Sequence, residues 1–342
     1  MATRKTRPTL ADVAARAGMS KTAVSMVLND RPGSRLSADA ADRIRAAAAE
    51  LGYRPNPAAQ SLRLGKTRTI GFVSDRVTVT RYASGMIRGA LETARAHGHT
   101  VLMAETSGDE NLLGEAVQSM IDRRVDGLLV GLMNARLIQL PPVPRDLPVV
   151  IVNGRTSENH PSVVPAERAA GGTMARLLSD AGHRHIALIG PIPKVLDDPA
   201  ESVSIGERFR GIDAAFAEAG VHPIVYEVDG WSPAIGYETT LRAMTAHPEI
   251  TAILVGNDNM AFGAYQALSE LGLRVPADVS VASFDDEELA EYLRPGLTTS
   301  RLPYPEMAAL SVEMLLEIRE RGHESVAMPT VVRASVAPPR AS

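Results

Sequence analysis

The sequence predicts a small all-α head followed by a larger α/β body built of parallel sheet flanked by helices. Three observations predict it. Residues 9–30, TLADVAARAGMSKTAVSMVLND, read as two short helices broken by one glycine. From Thr69 the pattern changes to apolar runs alternating with amphipathic stretches, as in strands joined by helical crossovers. The charge divides at the same place. Residues 1–68 carry 13 Lys and Arg against 5 Asp and Glu, a surplus of +8, whereas the remainder carries 23 against 35, or −12.

In the head, Thr9 is placed to cap the first helix, and Asp12 three residues on completes a capping box. Leu10, Val13, Ala14 and Ala17 make one apolar face. Gly18 suits the left-handed residue that ends a helix. Ser20 opens the second helix, whose inner face is Val24, Val27 and Leu28. Its outer face keeps Lys21, Thr22, Ser25, Met26 and Asn29, mostly short or polar side chains able to reach base edges. This is the pattern of a helix-turn-helix, which lays its second helix in a DNA major groove. A generic helical hairpin would share the apolar spacing; the basic charge of the head points to a polyanion.

Residues 31–36 form a loop containing Pro and Gly, and Ser37 opens a third helix with Ile44, Ala47, Ala48 and Leu51 inward and Gly52 at its end. Pro55 and Pro57 mark a linker. Residues 57–64, PAAQSLRL, suit a helix too short to stand alone, which is expected to order on DNA before Gly65 stops it.

Composition bounds the chemistry. The chain has 342 residues, 45% of them hydrophobic, enough for more than one core. No run reaches the ~20 apolar residues that span a bilayer. No apolar stretch follows the basic start, so neither a signal peptide nor a membrane location is expected, in keeping with the cytoplasm. With no cysteine, disulfides, thiol catalysis and cysteine zinc sites are excluded.

In the body, strands are expected at 69–74, 100–105, 127–132, 148–153, 185–190, 224–228, 252–257 and 279–285. Helices are expected near 84–97, 110–123, 166–181, 207–219, 234–246, 259–271 and 305–321. Eight such strands make either one large sheet or two smaller ones. The stretches near 154–165 and 295–304 read as irregular and suit crossings between lobes.

The head motif, with YRPNPAAQSLRLGKT (53–67), GHRHIALIGP (182–191), ERFRG (207–211), VGNDNMAFGA (255–264), VSVASFDD (279–286) and PGLTT (295–299), resembles the transcriptional regulators of the lactose-repressor (LacI/GalR) family along nearly the whole chain. The resemblance implies a body like the periplasmic binding proteins, two α/β lobes around a cleft. It implies a DNA-binding head over 1–55, a hinge over 56–68 and an effector-binding and dimerisation domain over 69–337. The N-lobe would use about 69–164 plus 302–327, the C-lobe about 165–300 plus 329–337. The implied partners are near-palindromic double-stranded operator DNA, a second copy of the chain and a small effector, a sugar or sugar derivative. The ending VAPPRAS carries no heptads, which favours a dimer over the tetramers of some relatives.

The same resemblance assigns base reading to Lys21, Thr22 and Met26, with Ala23 beside them, and places Ser20, Ser25 and Asn29 at phosphate-contacting or helix-positioning sites; Thr9 is counted in the same interface. Met26 stands where arginine is common. In the hinge, Leu62 matches a leucine wedged into the minor groove, flanked by Asn56, Ala59 and Gln60, the last where arginine is frequent. In the cleft, Arg208 matches an effector-binding arginine. Asn257 and Asp285 follow strands at carboxyl ends, where open sheets bind ligands. Asn153, Trp231, Tyr304 and Tyr82 complete the expected cleft. Pro165 and the segment 75–83 depart from the family pattern there, so the effector need not be a common sugar.

Asp258 and Asp286 read as helix N-caps, and His183 and His185 as surface or strand positions. No cofactor or metal is expected. Gly65-Lys66-Thr67 ends like a phosphate loop, but Gln60 stands where its first glycine belongs. An enzyme or transport-type binding protein on the same body is the rival reading. It lacks a nucleophile with its base, a cofactor loop and a leader, and it leaves the basic head unexplained.

Overall fold

The computed structural model describes residues 8–29, 36–54, 65–79 and 83–340. The chain divides into two compact units, Met1–Arg68 and Thr69–Ser342.

The first unit holds helices α1 (Leu10–Ala17), α2 (Lys21–Leu28) and α3 (Ala38–Leu51). The capping box at α1 is complete: Asp12 N–H donates to Thr9 Oγ1 at 3.4 Å, and Thr9 N–H donates to Asp12 Oδ2 at 2.7 Å. Gly18 takes φ 64°, ψ 34°, and turns the chain into Ser20, whose Oγ accepts from Ala23 N–H at 3.1 Å. Val13, Val24, Val27, Ile44, Ala47 and Ala48 are buried together where the three helices meet. The segment predicted as a hinge helix, 57–64, lies outside the described residues.

The second unit carries two six-stranded sheets. The first is wholly parallel: β1 (Thr69–Asp75), β2 (Thr100–Glu105), β3 (Gly127–Ile138), β4 (Val149–Thr156), β5 (Ser162–Pro165) and β11 (His323–Val326), ordered β11-β5-β4-β3-β1-β2. The second contains β6 (Ile186–Ile189), β7 (Ile224–Tyr226), β8 (Ala252–Val255), β9 (Ser280–Asp285), β10 (Thr298–Arg301) and β12 (Thr330–Val331), ordered β12-β10-β9-β8-β6-β7, with only β12 antiparallel. Apolar strands buried on both faces need cover on both sides. The first sheet is covered by α4 (Ser84–Ala96) and α12 (Tyr304–Leu315) on one face and α5 (Glu110–Asp122) on the other. The second lies between α6 (Glu167–Asp180) with α8 (Ile205–Glu218) and α9 (Pro233–Ala246) with α10 (Asp258–Glu270). Short helices α7 (Pro193–Leu196) and α11 (Glu288–Tyr292) and a single 3-10 turn at Val77–Val79 complete the described elements.

All eight expected body strands and seven expected body helices are present, with differences that have physical causes. The stretches read as irregular contain β5 and β10. The polar run Thr298, Thr299 and Ser300 of β10 is fully buried because its hydroxyls are bonded, Thr299 Oγ1 donating to Asp258 at 2.8 Å and Thr298 Oγ1 to Arg333 O at 3.2 Å. The helix expected over 305–321 stops at Leu315, where Ile318 N–H closes back on Glu313 O at 3.0 Å and Glu317 adopts φ 60°. His183 is buried rather than at the surface: its ring bonds Thr251 Oγ1, Ser280 Oγ and Ala337 O, tying the chain's last stretch to the second sheet. Burial holds its pKa below the usual histidine value.

Helices α6 and α8 touch backbone to backbone. A Cβ on Gly171 would lie 2.1 Å from Arg208 O, and one on Gly211 would lie 2.0 Å from Arg168 O. This approach sets Glu167 of α6 against Arg208 of α8. Gly211→Ala should therefore push the helices apart and cost about 1–3 kcal/mol, read as a lowered melting temperature of the whole chain. An unchanged melting temperature would show that the contact relaxes without strain.

Candidate functional site

Two sites can be built from these elements. On the head, Lys21 and Thr22 are exposed at the start of α2, and Ala23, Ser25 and Met26 are partly exposed behind them. Asn29 Nδ2 donates to Ser25 O at 2.6 Å, so Asn29 closes the helix end while remaining at its surface. Thr9 Oγ1 is engaged in the α1 capping box, donating to Asp12 Oδ2 at 2.8 Å. Asn56, Ala59, Gln60 and Leu62 lie outside the described residues.

On the body, a cavity of about 340 Å³ opens between the carboxyl ends of the two sheets. Six of the seven expected cleft residues line it: Asn153, Arg208, Trp231, Asn257, Asp285 and Tyr304; Tyr82 lies outside the described residues. Asn153, on β4 of the first sheet, takes φ 60° and donates both amide hydrogens to backbone, to Leu132 O at 2.9 Å and Met133 O at 3.0 Å. Tyr304 opens α12, belonging to the same lobe.

The other four belong to the second lobe, Asp285 on β9, Arg208 on α8, Asn257 at the cap of α10 and Trp231 in the loop before α9. Arg208 is 1% exposed. Its Nε and Nη2 donate to Glu167 at 2.7 and 2.8 Å, and Nη1 donates to Gly256 O at 2.7 Å. Its guanidinium lies 4.3 Å from the Phe284 ring centroid and 5.3 Å from that of Trp231. Burial works against this charge, and the Glu167 carboxylate outweighs it, so the pKa of Arg208 is raised. Trp231 Nε1 donates to Gly190 O at 2.7 Å, which fixes the indole and leaves its ring to the cleft. Asp285 Oδ1 stands 3.7 Å from Arg208 Nη2, beyond hydrogen-bond length.

The capping expectations need correction. Asn257, not Asp258, caps α10, its Oδ1 accepting from Met260 N–H at 2.9 Å. Asp258 is the first residue inside that helix and fully buried. Its carboxylate accepts from Ser283 Oγ, from Thr299 Oγ1 at 2.8 Å and from Glu287 N–H at 2.8 Å. Asp286 takes φ 54° and faces Arg333 Nη2 at 2.8 Å, which draws it away from α11. Carboxylates that face one another or an apolar wall lose their charge. Burial pushes Asp258, Asp285 and Glu287 each up to about 7.

The sequence reading missed Glu167, Glu201 and Ser202 among the lining residues. Glu167 follows Pro165 in the first turn of a helix, where an acid reads as a partner of the helix dipole. Only the packing of α6 on α8 shows it buried at 3% exposure. Pro165, Met133 and Ile192 supply apolar wall. The acids on the lining are Glu167, Glu201 and Asp285, against Arg208 as the base among the described residues. Since Glu167 already neutralises Arg208, no unpaired positive charge lines the cleft among the described residues. No helix among the described residues is long and apolar enough to cross a membrane.

The raised carboxylates carry a pH dependence. The folded chain holds the Glu287 proton to about pH 7, while the unfolded chain releases it near its ordinary 4.5. The native state thus binds more protons in that window, and its stability falls as pH rises through it. Glu287→Gln keeps the acceptor that Asn259 Nδ2 meets at 2.9 Å. Melting temperatures measured from about pH 5 to pH 8 should fall less steeply for this variant than for the wild type; equal slopes would remove Glu287 from the linkage.

The comparisons with known proteins agree on both parts of the chain. Residues 9–56 match the family model described as bacterial regulatory proteins, lacI family, and residues 175–336 match that of the periplasmic binding protein-like domain. The chain is 33% identical to the ribose operon repressor of Escherichia coli (strain K12) over 318 residues, covering 90% of this chain and 92% of the relative. It is 32% identical to the HTH-type transcriptional repressor PurR of Edwardsiella ictaluri (strain 93-146), covering 90% of this chain and 89% of the relative. Among solved structures, the lac repressor dimer bound to operator and the anti-inducer ONPF superposes with a TM-score of 0.74 at 28% identity, covering 97% of this chain and 100% of that one.

Proposed function

The chain belongs to the lacI family of bacterial regulatory proteins, and on that premise we propose a homodimeric repressor whose hold on a near-palindromic operator is set by a neutral, hydroxyl-rich effector in the body cleft. One observation carries the effector reading. The cleft residues come from both lobes, Asn153 of β4 and Tyr304 of α12 from the first, and Arg208 of α8, Trp231, the α10 cap Asn257 and Asp285 of β9 from the second. A ligand touching both lobes binds one lobe arrangement better than another, and that difference is the most it can contribute to switching.

The ligand class follows from the donors and acceptors. Asn153 and Asp285 offer oxygens to hydroxyl groups, Arg208 lies beside them, and the Trp231 ring offers an apolar face for the carbons of a sugar. The acidic lining disfavours carboxylates and phosphate esters. That one relative is a ribose operon repressor makes pentoses the first ligands to try.

The DNA reading rests on the exposed start of α2 and on the hinge. Lys21 and Thr22 read bases, Ser25 and Asn29 set the helix against phosphate, and Met26 contacts bases through apolar surface alone. Leu62 is the residue we assign to the minor-groove wedge, at the centre of the dimer's operator.

Two measurements test these assignments. In a thermal-shift screen of neutral sugars, sugar phosphates and sugar acids, a neutral sugar should raise the melting temperature, and Asn153→Ala or Trp231→Ala should abolish the rise while leaving operator affinity within about twofold. An unaltered shift in both variants would place the ligand elsewhere. Leu62→Ala should weaken operator binding by about tenfold or more, since unstacking a base step costs a few kcal/mol that specific contacts must offset, while non-operator binding barely changes. Equal losses on the two DNAs would remove the wedge.

A further inference from the structure

Between α7 and α8 the chain runs out along the rim of the cleft before it returns to the helix that carries Arg208. This segment, residues 197–204, is tied firmly to its own lobe. Asp197 Oδ1 accepts from Arg210 Nη2 at 3.2 Å. Asp198 accepts from Ala200 N–H through Oδ1 at 2.9 Å, and from Glu201 and Ser202 N–H through its carbonyl at 3.0 and 2.9 Å. Ser202 Oγ accepts from Ser204 and Ile205 N–H at 3.2 and 3.0 Å, at the start of α8. Two of these bonds, from Arg210 and from Ile205, attach the segment to α8.

Its middle reaches the other lobe. Leu137 N–H donates to Pro199 O at 2.8 Å, and Val203 N–H donates to Ala135 O at 2.5 Å. Ala135 sits in β3 within the register shift between Gly131 and Arg136 against β4, and Leu137 just beyond it. These two bonds join backbone to backbone and need no particular side chain. Glu201, Ser202 and Ser204 of the same segment line the cavity, as do Asn134 and Ala135 opposite. Whatever fills the cleft lies against both halves of this junction.

We propose that residues 197–204 are a clasp between the lobes, and that closing or opening its two backbone bonds switches the body between its two arrangements. The proposal rests on the cleft being the ligand site, but the clasp can be tested without a ligand. Two bonds are few enough to exchange for water when the lobes part, and the rigid attachment to α8 carries the change to Arg208. Sequence reading passes over the segment because DDPAESVS has no periodicity and no motif.

The full chain contains no cysteine, so Ala135→Cys with Val203→Cys gives a clean pair on either side of one clasp bond. Oxidation locks the clasp. Val203→Pro removes the donor of that bond, and replacing residues 198–201 by two glycines removes Pro199, the acceptor of the other; the two changes together unlock the clasp. The probe is a near-palindromic duplex selected from random DNA by the wild-type chain. The locked and unlocked chains, each with a wild-type circular dichroism spectrum, should differ in affinity for it by at least about fivefold. Affinities within about twofold of each other would overturn the clasp, as would failure of the folded cysteine pair to cross-link. If no sugar shifts the wild-type melting temperature, the ligand reading fails separately, and the locked–unlocked comparison still decides the clasp.

Discussion

The arrangement of the body turns on the buried pair Arg208–Glu167. Burying either charge alone is costly, and pairing in a low-dielectric interior repays this only when the geometry is good and further hydrogen bonds are present. Here the pair is bidentate, Gly256 O takes a third guanidinium hydrogen, and the rings of Phe284 and Trp231 flank the cation. That geometry in turn requires α6 and α8 to touch at Gly171 and Gly211. Removing either charge would strand the other, so the pair fixes helix packing, the cleft floor and the charge offered to a ligand together. It also makes the cleft less basic than a lone arginine suggests, which is why we assign it a neutral ligand.

Around this fixed floor the movable parts are few. The first lobe contributes Asn153, whose amide hydrogens are consumed by its own backbone neighbours, and Tyr304 at the head of α12. The second contributes the arginine platform and the carboxylates behind it. The carboxylates are protonated in part near neutrality because burial raises them, and Ser283 and Thr299 hold Asp258 in place. For a ligand bridging these two sets, only the difference in its affinity for the two lobe arrangements is available to act on DNA binding.

Much of this was legible in the residues. Thr9-x-x-Asp12, Gly18 and Ser20 each act locally, through caps and a left-handed turn, so the head follows from a few positions. Apolar strands such as β6 and β8 declare themselves because nothing polar interrupts them. What was hidden depends on distant partners. Thr298, Thr299 and Ser300 look like loop residues until Asp258 and Met328 O are placed beside them. His183 looks like a surface residue until Ser280 and Ala337 enclose it. Glu167 looks like a helix-dipole acid until α8 covers it. Arg208 was legible from its motif, but its partner was not, and the partner is what decides the charge of the site.

In an effector-controlled repressor, ligand binding in the cleft and operator binding by the head are coupled through one free energy. The most direct test measures the affinity of a cleft ligand, found by sugar screening, for the chain alone and for the chain saturated with operator. Coupling is reciprocal, so operator should change ligand affinity by the same factor as ligand changes operator affinity. Identical ligand affinities with and without operator would contradict it.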